Sequence, residues 1–386
     1  MSSLPEASSD ALAHSAQLSA MIHREIAASD GWITFARFME LALYAPGLGY
    51  YSAGSRKLGA AGDFVTAPEI SGLFGQTLAR QVAQIVQLTE GEILEVGAGS
   101  GRLALQLLLE LDTLGALPAH YFILEVSANL RDRQQQLLAR LAPHHLDRVQ
   151  WVSAMPPSFT GVIIGNEVLD AMPAHLVAWR DNAVFERGVI SQNNSFSWSE
   201  REPAHGHLFD AAQRIAPPAP YLSEINLAAP AFIASLADAL QSGVILMIDY
   251  GFGASEYYHP QRSQGTLMCH YRHHAHADPF YLPGLQDITA HVDFSAVTQS
   301  GLSHGLELLG YTTQANFLIN CGITEILGKT PAENTKAYFP LAAQAQKLLS
   351  PAEMGEVFKV VALGKNFDAT LMGFARGDKS RLLDAG

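Results

Sequence analysis

The sequence predicts an α/β chain built on a doubly wound, mostly parallel sheet, and three observations predict it. Short apolar runs, EILEVGA, YFILEVS, VQWVSA, GVIIGN and, much later, GVILMIDYG, recur along the chain. They are apolar throughout rather than alternating, as strands are when helices cover both faces of a sheet. The first four are separated by helical or loop segments of crossover length, and a glycine-rich turn follows the first run directly.

In chain order, the stretch from Ser9 to about Gln87 has a helical pattern. It is interrupted by LYAPGLGYYSAGSRKLGAAGDFVTAPEIS, whose glycines and prolines predict loop or irregular structure. LALQLLLELDTL and LRDRQQQLLARLA are the clearest helices between strands. After the fourth strand, roughly Val177 to Pro220, the alternation in HLVAWRDNAVFERGVI predicts an antiparallel hairpin with Asp181-Asn182 as its turn. The aromatic, His-rich and Pro/Gly-punctuated stretch from Phe252 to Phe294 shows little helical period and is expected to form a lid or binding loop. GYTTQANFLI and VFKVVALG are expected as antiparallel closing strands.

At 386 residues the chain suits one main domain with elaborations. With 48% hydrophobic and 16% charged residues it has no disorder signature. A formal net charge of −13 with no basic run argues against nucleic acid or anionic lipid as partners. Cys269 and Cys321 lie far apart, which suits a reducing compartment and neither a disulfide framework nor a zinc ribbon. No apolar run reaches the 18 or so residues of a spanning helix. The N-terminal stretch carries Glu6 and Asp10 and no Arg before Arg24, the pattern of neither a transit peptide nor a secretory signal. The expected compartment is the cytosol, without membrane insertion.

The first strand runs into ILEVGAGSGRLALQLL, with Gly97, Gly99 and Gly101 at alternate positions before a helix. Glycines there admit close backbone approach and aim amides from a helix N-terminus. The dinucleotide pattern G-x-G-x-x-G fails because position 102 is Arg. Glu95 ahead of the loop is a poor neighbour for a pyrophosphate but suits the ammonium of a zwitterion such as S-adenosylmethionine. Glu125, ending the second strand, stands where an acid can accept both ribose hydroxyls. The alternative for Glu125 is a helix cap.

Residues just past the fourth strand face the ligand edge of such a sheet. There stand Asn166, Glu167 and Asp170, and a helical turn starting at Asn166 would put the two acids on one face. Two readings are open. The three cap a short helix, or the acids grip a cationic methyl acceptor, a guanidinium fork suiting two carboxylates. In CHYRHHAHADPF, His270 and His274 have i,i+4 spacing, but without helical period and with no need for a Lewis acid, no metal is expected. Asp249, ending the fifth strand, reads as structural.

With these residues in view, the sequence resembles class I S-adenosylmethionine-dependent methyltransferases, and within them the MidA family, whose mitochondrial member is a respiratory complex I assembly factor that methylates arginine. The resemblance runs from about Tyr44 to Asn320 through GDFVTAPEISGLFG, ILEVGAGSGRLA, ILEVSANLRDRQ, GNEVLDAMP, IDYG, GTLMCHYRHH and PGLQDITAHVDF. It implies a Rossmann-like seven-stranded methyltransferase sheet with an N-terminal helical region and substrate-covering insertions. The corresponding division is 1–87 helical region and cofactor-mouth loop, 88–176 cofactor-binding core, 177–230 hairpin insertion, 231–251 fifth strand, 252–300 lid, and 301–386 closing strands and helix.

By position, the resemblance assigns the cofactor to Gly97, Gly99, Gly101 and Glu125, and places Asp63 and Phe64 near its mouth, where Asp63 equally suits a turn. It puts His273, Asp287, Thr289 and Asp293 on the substrate side, with a solvated loop histidine as the alternative for His273 and loop-fixing by Asx turns for the other three. It favours the acceptor reading of Glu167 and Asp170. VQWVSAMP departs from many class I enzymes in offering no acid to the adenine amine. The expected activity is methyl transfer to nitrogen, foremost arginine on a protein partner. The rivals are a non-catalytic assembly scaffold and a small-molecule methyltransferase.

Overall fold

A computed structural model of the chain describes residues 4–53, 66–181 and 183–383. They divide into two compact units. The sheet unit comprises Val65–Leu169, Pro230–Gly253 and Phe294–Gly386, and the insertion unit Met1–Phe64, Asp170–Ala229 and Ala254–Asp293.

In the sheet unit, seven strands carry the fold: β1 (Glu92–Val96), β2 (Tyr121–Leu124), β3 (Val149–Val152), β4 (Phe159–Asn166), β5 (Leu240–Phe252), β6 (Glu307–Thr313) and β7 (Phe358–Lys365). Their order is β6-β7-β5-β4-β1-β2-β3. The first five run parallel, and β7 is antiparallel to both its neighbours. The five apolar runs of the sequence are these five strands. Ile93, Leu94, Val162, Ile163, Ile164, Val244, Ile245 and Leu246 are fully buried, which is why no polar alternation marks them. Each such side chain contributes about 1.5–3 kcal/mol on leaving water.

Order reverses between β1 and β4, so the chain leaves these adjacent strands in different directions, and the carboxyl ends beside such a reversal are where sheets of this kind take ligands. Three helices frame that edge: α1 (Gly72–Thr89), α2 (Arg102–Thr113) and α3 (Ala128–Leu141). Ser71 caps α1 through its Leu73 amide, and Ser127 caps α3 through Leu130. Phe74, Leu78, Val82 and Ile85, spaced for one helix face, bury α1 against the core. One expected closing strand is shorter than the sequence suggested. Thr313 caps a helix, Gln314–Asn320, so QANFLI turns helical where its hydroxyl accepts from the Asn316 amide.

In the insertion unit, helices Ser9–Ala28 and Phe35–Tyr44 are capped by Ser8 and Thr34, and Leu18, Ile22 and Ile26 form the buried stripe of the first. The expected hairpin is present: His175–Arg180 pairs antiparallel with Ala183–Gln192, Asp181 lying in the turn, while Asn182 is outside the described residues. Ile33–Thr34, Ser195–Arg201 and Tyr221–Ile225 extend it to five strands. The stretch after Phe252, expected to be irregular, folds a small sheet from Met268–Tyr271, His274–His276 and Asp287–Thr289. Cys269 and Ile288, facing each other across it, are wholly buried in this unit's core, and that burial gives a short segment enough reason to order. Cys269 and Cys321 are both free and buried. Among the described residues no helix is long and apolar enough to cross a membrane.

Candidate functional site

At the end of β1 the chain turns through Gly97, Gly99 and Gly101 with φ of 64°, 53° and 82°. Side chains rarely tolerate that region, which explains glycine at each position. The Gly97 amide donates to the Leu124 carbonyl at 3.1 Å, tying the loop to the end of β2. A Cβ on Gly97 would meet Val168 at 3.2 Å, and one on Gly101 would meet Gln134 at the same distance. Ser100 donates to Glu69, and Arg102 Nε pairs with the other Glu69 oxygen at 2.8 Å. Glu69 lies in the four-residue helix Ala67–Ile70, so the APEI motif secures the loop from its outer side.

Glu95, two residues before the loop, is buried and accepts the Tyr121 hydroxyl at 2.7 Å. Burial pushes its pKa up to about 7, against the stabilising Tyr121 bond, with a smaller push from Glu125. Glu125, past the end of β2, is only 6% exposed. Its Oε1 accepts from the Ser127 amide at 2.9 Å and its Oε2 from Gln134 Nε2 at 3.3 Å. A carboxylate has about four acceptor positions, so with the Val126 amide also bonded to it about one remains for a ligand hydroxyl. The helix cap is Ser127, and Glu125 accepts from the cap's own amide. Beside it Val126 stands 80% exposed, an apolar side chain fit to lie under a planar base.

Gln134 joins these parts and was not singled out from sequence. It is fully buried on α3, donates to the Gly99 carbonyl at 3.0 Å and to Glu125, and accepts the Trp151 indole N–H at 2.9 Å. One amide therefore sets the orientation of the glycine loop, the carboxylate after β2 and the aromatic residue of β3. Its only sequence signal was an interior glutamine in a helix whose other buried side chains are apolar.

The exit from β4 differs from expectation. Asn166 is the last residue of the strand, Glu167 takes a left-handed conformation with φ of 53°, and no helix follows. The expected helical turn, and with it the shared face for Glu167 and Asp170, is absent, and the Val168 and Leu169 amides that an Asn166 cap would have served go to Asp249. Its Oδ2 accepts from Val168 at 3.1 Å and Leu169 at 2.9 Å, while the Glu167 amide goes to the Ile248 carbonyl at 2.8 Å. Asp249 is structural, as its position suggested. Glu167 Oε1 accepts from the Ala67 amide at 3.2 Å and the Asn166 side-chain amide at 3.1 Å. Asn166 Oδ1 is buried and has no hydrogen-bond partner.

Asp170, Asp287, Asp293 and His273 all fall in the insertion unit. Asp287 is not in an Asx turn but in a strand, where it accepts the Tyr51 hydroxyl at 2.9 Å. Asp293 accepts from Tyr258, whose phenol is pushed up by burial first and by Asp293 next. His273 is exposed at the hairpin tip beside Arg272, both with positive φ. His270 and His274 stand on opposing strands of that hairpin, so their spacing has no helical meaning. Among the described residues no three His, Cys, Asp or Glu side chains gather as a metal site. Asp63 and Phe64 lie outside the described residues.

The sheet-unit residues fit S-adenosylmethionine. A glycine cradle that a Cβ would crowd, a buried acid before it, a spare carboxylate acceptor after β2 and an orphaned Asn166 oxygen at the end of β4 provide for a charged amino acid end, a ribose and a polar contact.

Comparison with known proteins agrees. Residues 77–312 match the family model for S-adenosyl-L-methionine-dependent methyltransferases. A crystal structure of a superfamily member from Burkholderia thailandensis, bound to S-adenosyl-homocysteine, is 48% identical, covering 98% of this chain and 100% of its own, with a TM-score of 0.95. The mitochondrial protein arginine methyltransferase NDUFAF7 of Mus musculus is 28% identical across 87% of this chain and 81% of its own. The homologous protein of Caenorhabditis elegans is 27% identical across 76% and 74%.

Proposed function

The chain belongs to the family of S-adenosyl-L-methionine-dependent methyltransferases whose model it matches, and from that premise we propose that it methylates a guanidinium nitrogen of arginine on a protein partner. The observation that carries this reading is the exit of β4. An acid, Glu167, is fixed there by the Ala67 amide and by Asn166 one residue after the strand that flanks the glycine loop. The names of the relatives from mouse and nematode point the same way.

When bound, S-adenosylmethionine supplies a methyl group on a sulfonium, whose carbon–sulfur bond breaks with its electrons on sulfur as the new nitrogen–carbon bond forms. The chain's part is to hold and orient. The glycine loop and Glu95 hold the amino acid end, where an approaching ammonium favours the ionised carboxylate and pulls its raised pKa down. Glu125 would hold the ribose, and the exposed Val126 side chain would offer an apolar surface to the adenine. Asn166 Oδ1 would accept a donor of the bound pair, and the Glu167 carboxylate would take the proton that the methylated nitrogen loses.

The test is incubation of the protein and labelled cofactor with a lysate from cells that lack it. Label should appear on a protein band and be recovered as methylarginine after hydrolysis. Label confined to small molecules, or to another amino acid, would overturn the acceptor assignment.

A further inference from the structure

Helix α3 buries Leu130, Gln134 and Leu138, which follow one another at intervals of about one turn. The outer two are leucines, and the middle one is a glutamine with no solvent exposure at all. An amide in such a place costs free energy unless its polar groups are met. Three partners meet it. The Gly99 carbonyl and Glu125 Oε2 accept from Nε2 at 3.0 and 3.3 Å, and the Trp151 indole N–H donates to Oε1 at 2.9 Å. A carbonyl and a carboxylate need a donor and an indole N–H needs an acceptor, so a single orientation of the amide serves all three. A Cβ on Gly101 would meet Gln134 Cγ at 3.2 Å, so the glycine loop is also packed on this side chain.

Of these bonds, the one to Glu125 bears on ligand binding. Burial pushes the Glu125 pKa up, while the Ser127 amide, Gln134, the Val126 amide and Arg131 pull it back. From β1, Glu95 faces it with like charge, itself bonded to Tyr121 of β2. From α3, Arg131 gives Nε to the Glu125 carbonyl at 2.6 Å and Nη2 to the Val152 carbonyl at 3.2 Å, so its hydrogen bonds go to the backbone. Among the described residues Gln134 is therefore the only side chain that hydrogen-bonds the carboxylate itself.

We propose that Gln134 is a positioning residue of the cofactor site, the side chain that aims the remaining acceptor of Glu125 at a ribose hydroxyl and locks that acid to the glycine loop. The proposal rests on the ribose reading of Glu125 given above. One amide touches both the loop that takes the amino acid end and the acid that takes the ribose, so the two ends of the cofactor are set together. Neither a glutamate nor an apolar residue can do the same. A glutamate would face Glu125 with like charge and offer the Gly99 carbonyl no donor. A methionine would fill the space but take this partner from the carboxylate, the carbonyl and the indole at once.

The test measures S-adenosyl-homocysteine affinity of the full chain by calorimetry from about pH 5.5 to 8.5, for the parent, Gln134→Met and Gln134→Glu. Dividing each variant's affinity by the parent's at the same pH removes what Glu95 contributes to all three. Both variants should bind at least about tenfold more weakly at neutral pH, and their pH trends should oppose each other. In Gln134→Met the Glu125 carboxyl loses a donor that favours its ionised form, so its pKa rises and the ratio falls further as pH drops. In Gln134→Glu the two carboxyls come to share a proton as pH drops, which removes the repulsion and restores one donor, so the ratio recovers. Weaker binding with the same pH trend in both variants would make Gln134 a packing residue and overturn the proposal, as would parent-like binding by either. Should one variant fail to fold, the direction of the other's trend decides. Glu125→Gln separates the two readings. Unchanged affinity there defeats the ribose reading and the proposal with it, whereas weakened binding there beside parent-like Gln134 variants defeats the proposal alone.

Discussion

The loops that leave β1 and β4 end neighbouring strands, in register at Val96 and Gly165, yet they are held by different means. The first combines its own backbone, three glycines with positive φ just ahead of α2, with tethers from Glu69 and Gln134. The second is shaped from elsewhere: its amides go to Asp249 and its acid to Ala67, partners 80 and 100 residues away. A loop that carries part of its geometry in glycines should depend on them first and on its tethers second. A loop that borrows its geometry should show the reverse.

The largest effect expected is for Gly99→Arg. A bulky side chain at φ 53° in the cradle should abolish S-adenosyl-homocysteine binding by calorimetry, and retained binding would remove the loop from the cofactor site. Next comes Asp249→Ala, which leaves the Val168 and Leu169 amides without this acceptor in a nearly solvent-free place. It should cost about 4 kcal/mol in urea unfolding and depress turnover more than cofactor affinity. Equal losses in both would mean that the two loops are not held independently.

A smaller effect belongs to Glu95. Its folded pKa lies near 7, above the ordinary carboxylate value, so folding favours the protonated acid. The stability this contributes is complete below pH 4.5 or so and is lost as pH rises through 7. Glu95→Gln should flatten that slope in the cofactor-free protein and leave it more stable than the parent above neutrality, by up to about 3 kcal/mol. An unchanged pH profile of thermal unfolding would show that Glu95 is ionised at little cost.

The same contrast marks what could be read from the chain. Strands β1 to β5, helices α2 and α3, the glycine loop and Glu125 were legible because each is a local pattern: an apolar run, a helical period, glycines at fixed spacing. The β4 exit was misread because caps and acids there imitate a helix start, while the acceptor that serves its amides sits on β5. Gln134 and Glu69 escaped notice for a related reason. Their importance lies in partners on other elements, Gly99 and Trp151 for one, Ser100 and Arg102 for the other. Likewise Tyr51 and Asp287 meet across 236 residues of sequence, beyond the reach of any spacing argument.

The dependence of the β4 exit on Asp249 also has a meaning for biosynthesis. Residues from β1 through Gln134 contain the glycine loop and its main tethers, so a nascent chain can assemble them early. The amides of Val168 and Leu169 have no Asp249 to meet until about 80 further residues have been made. The glycine loop can therefore form on the ribosome before the β4 exit acquires its shape. A chain released before β5 would carry a glycine loop next to an unformed exit.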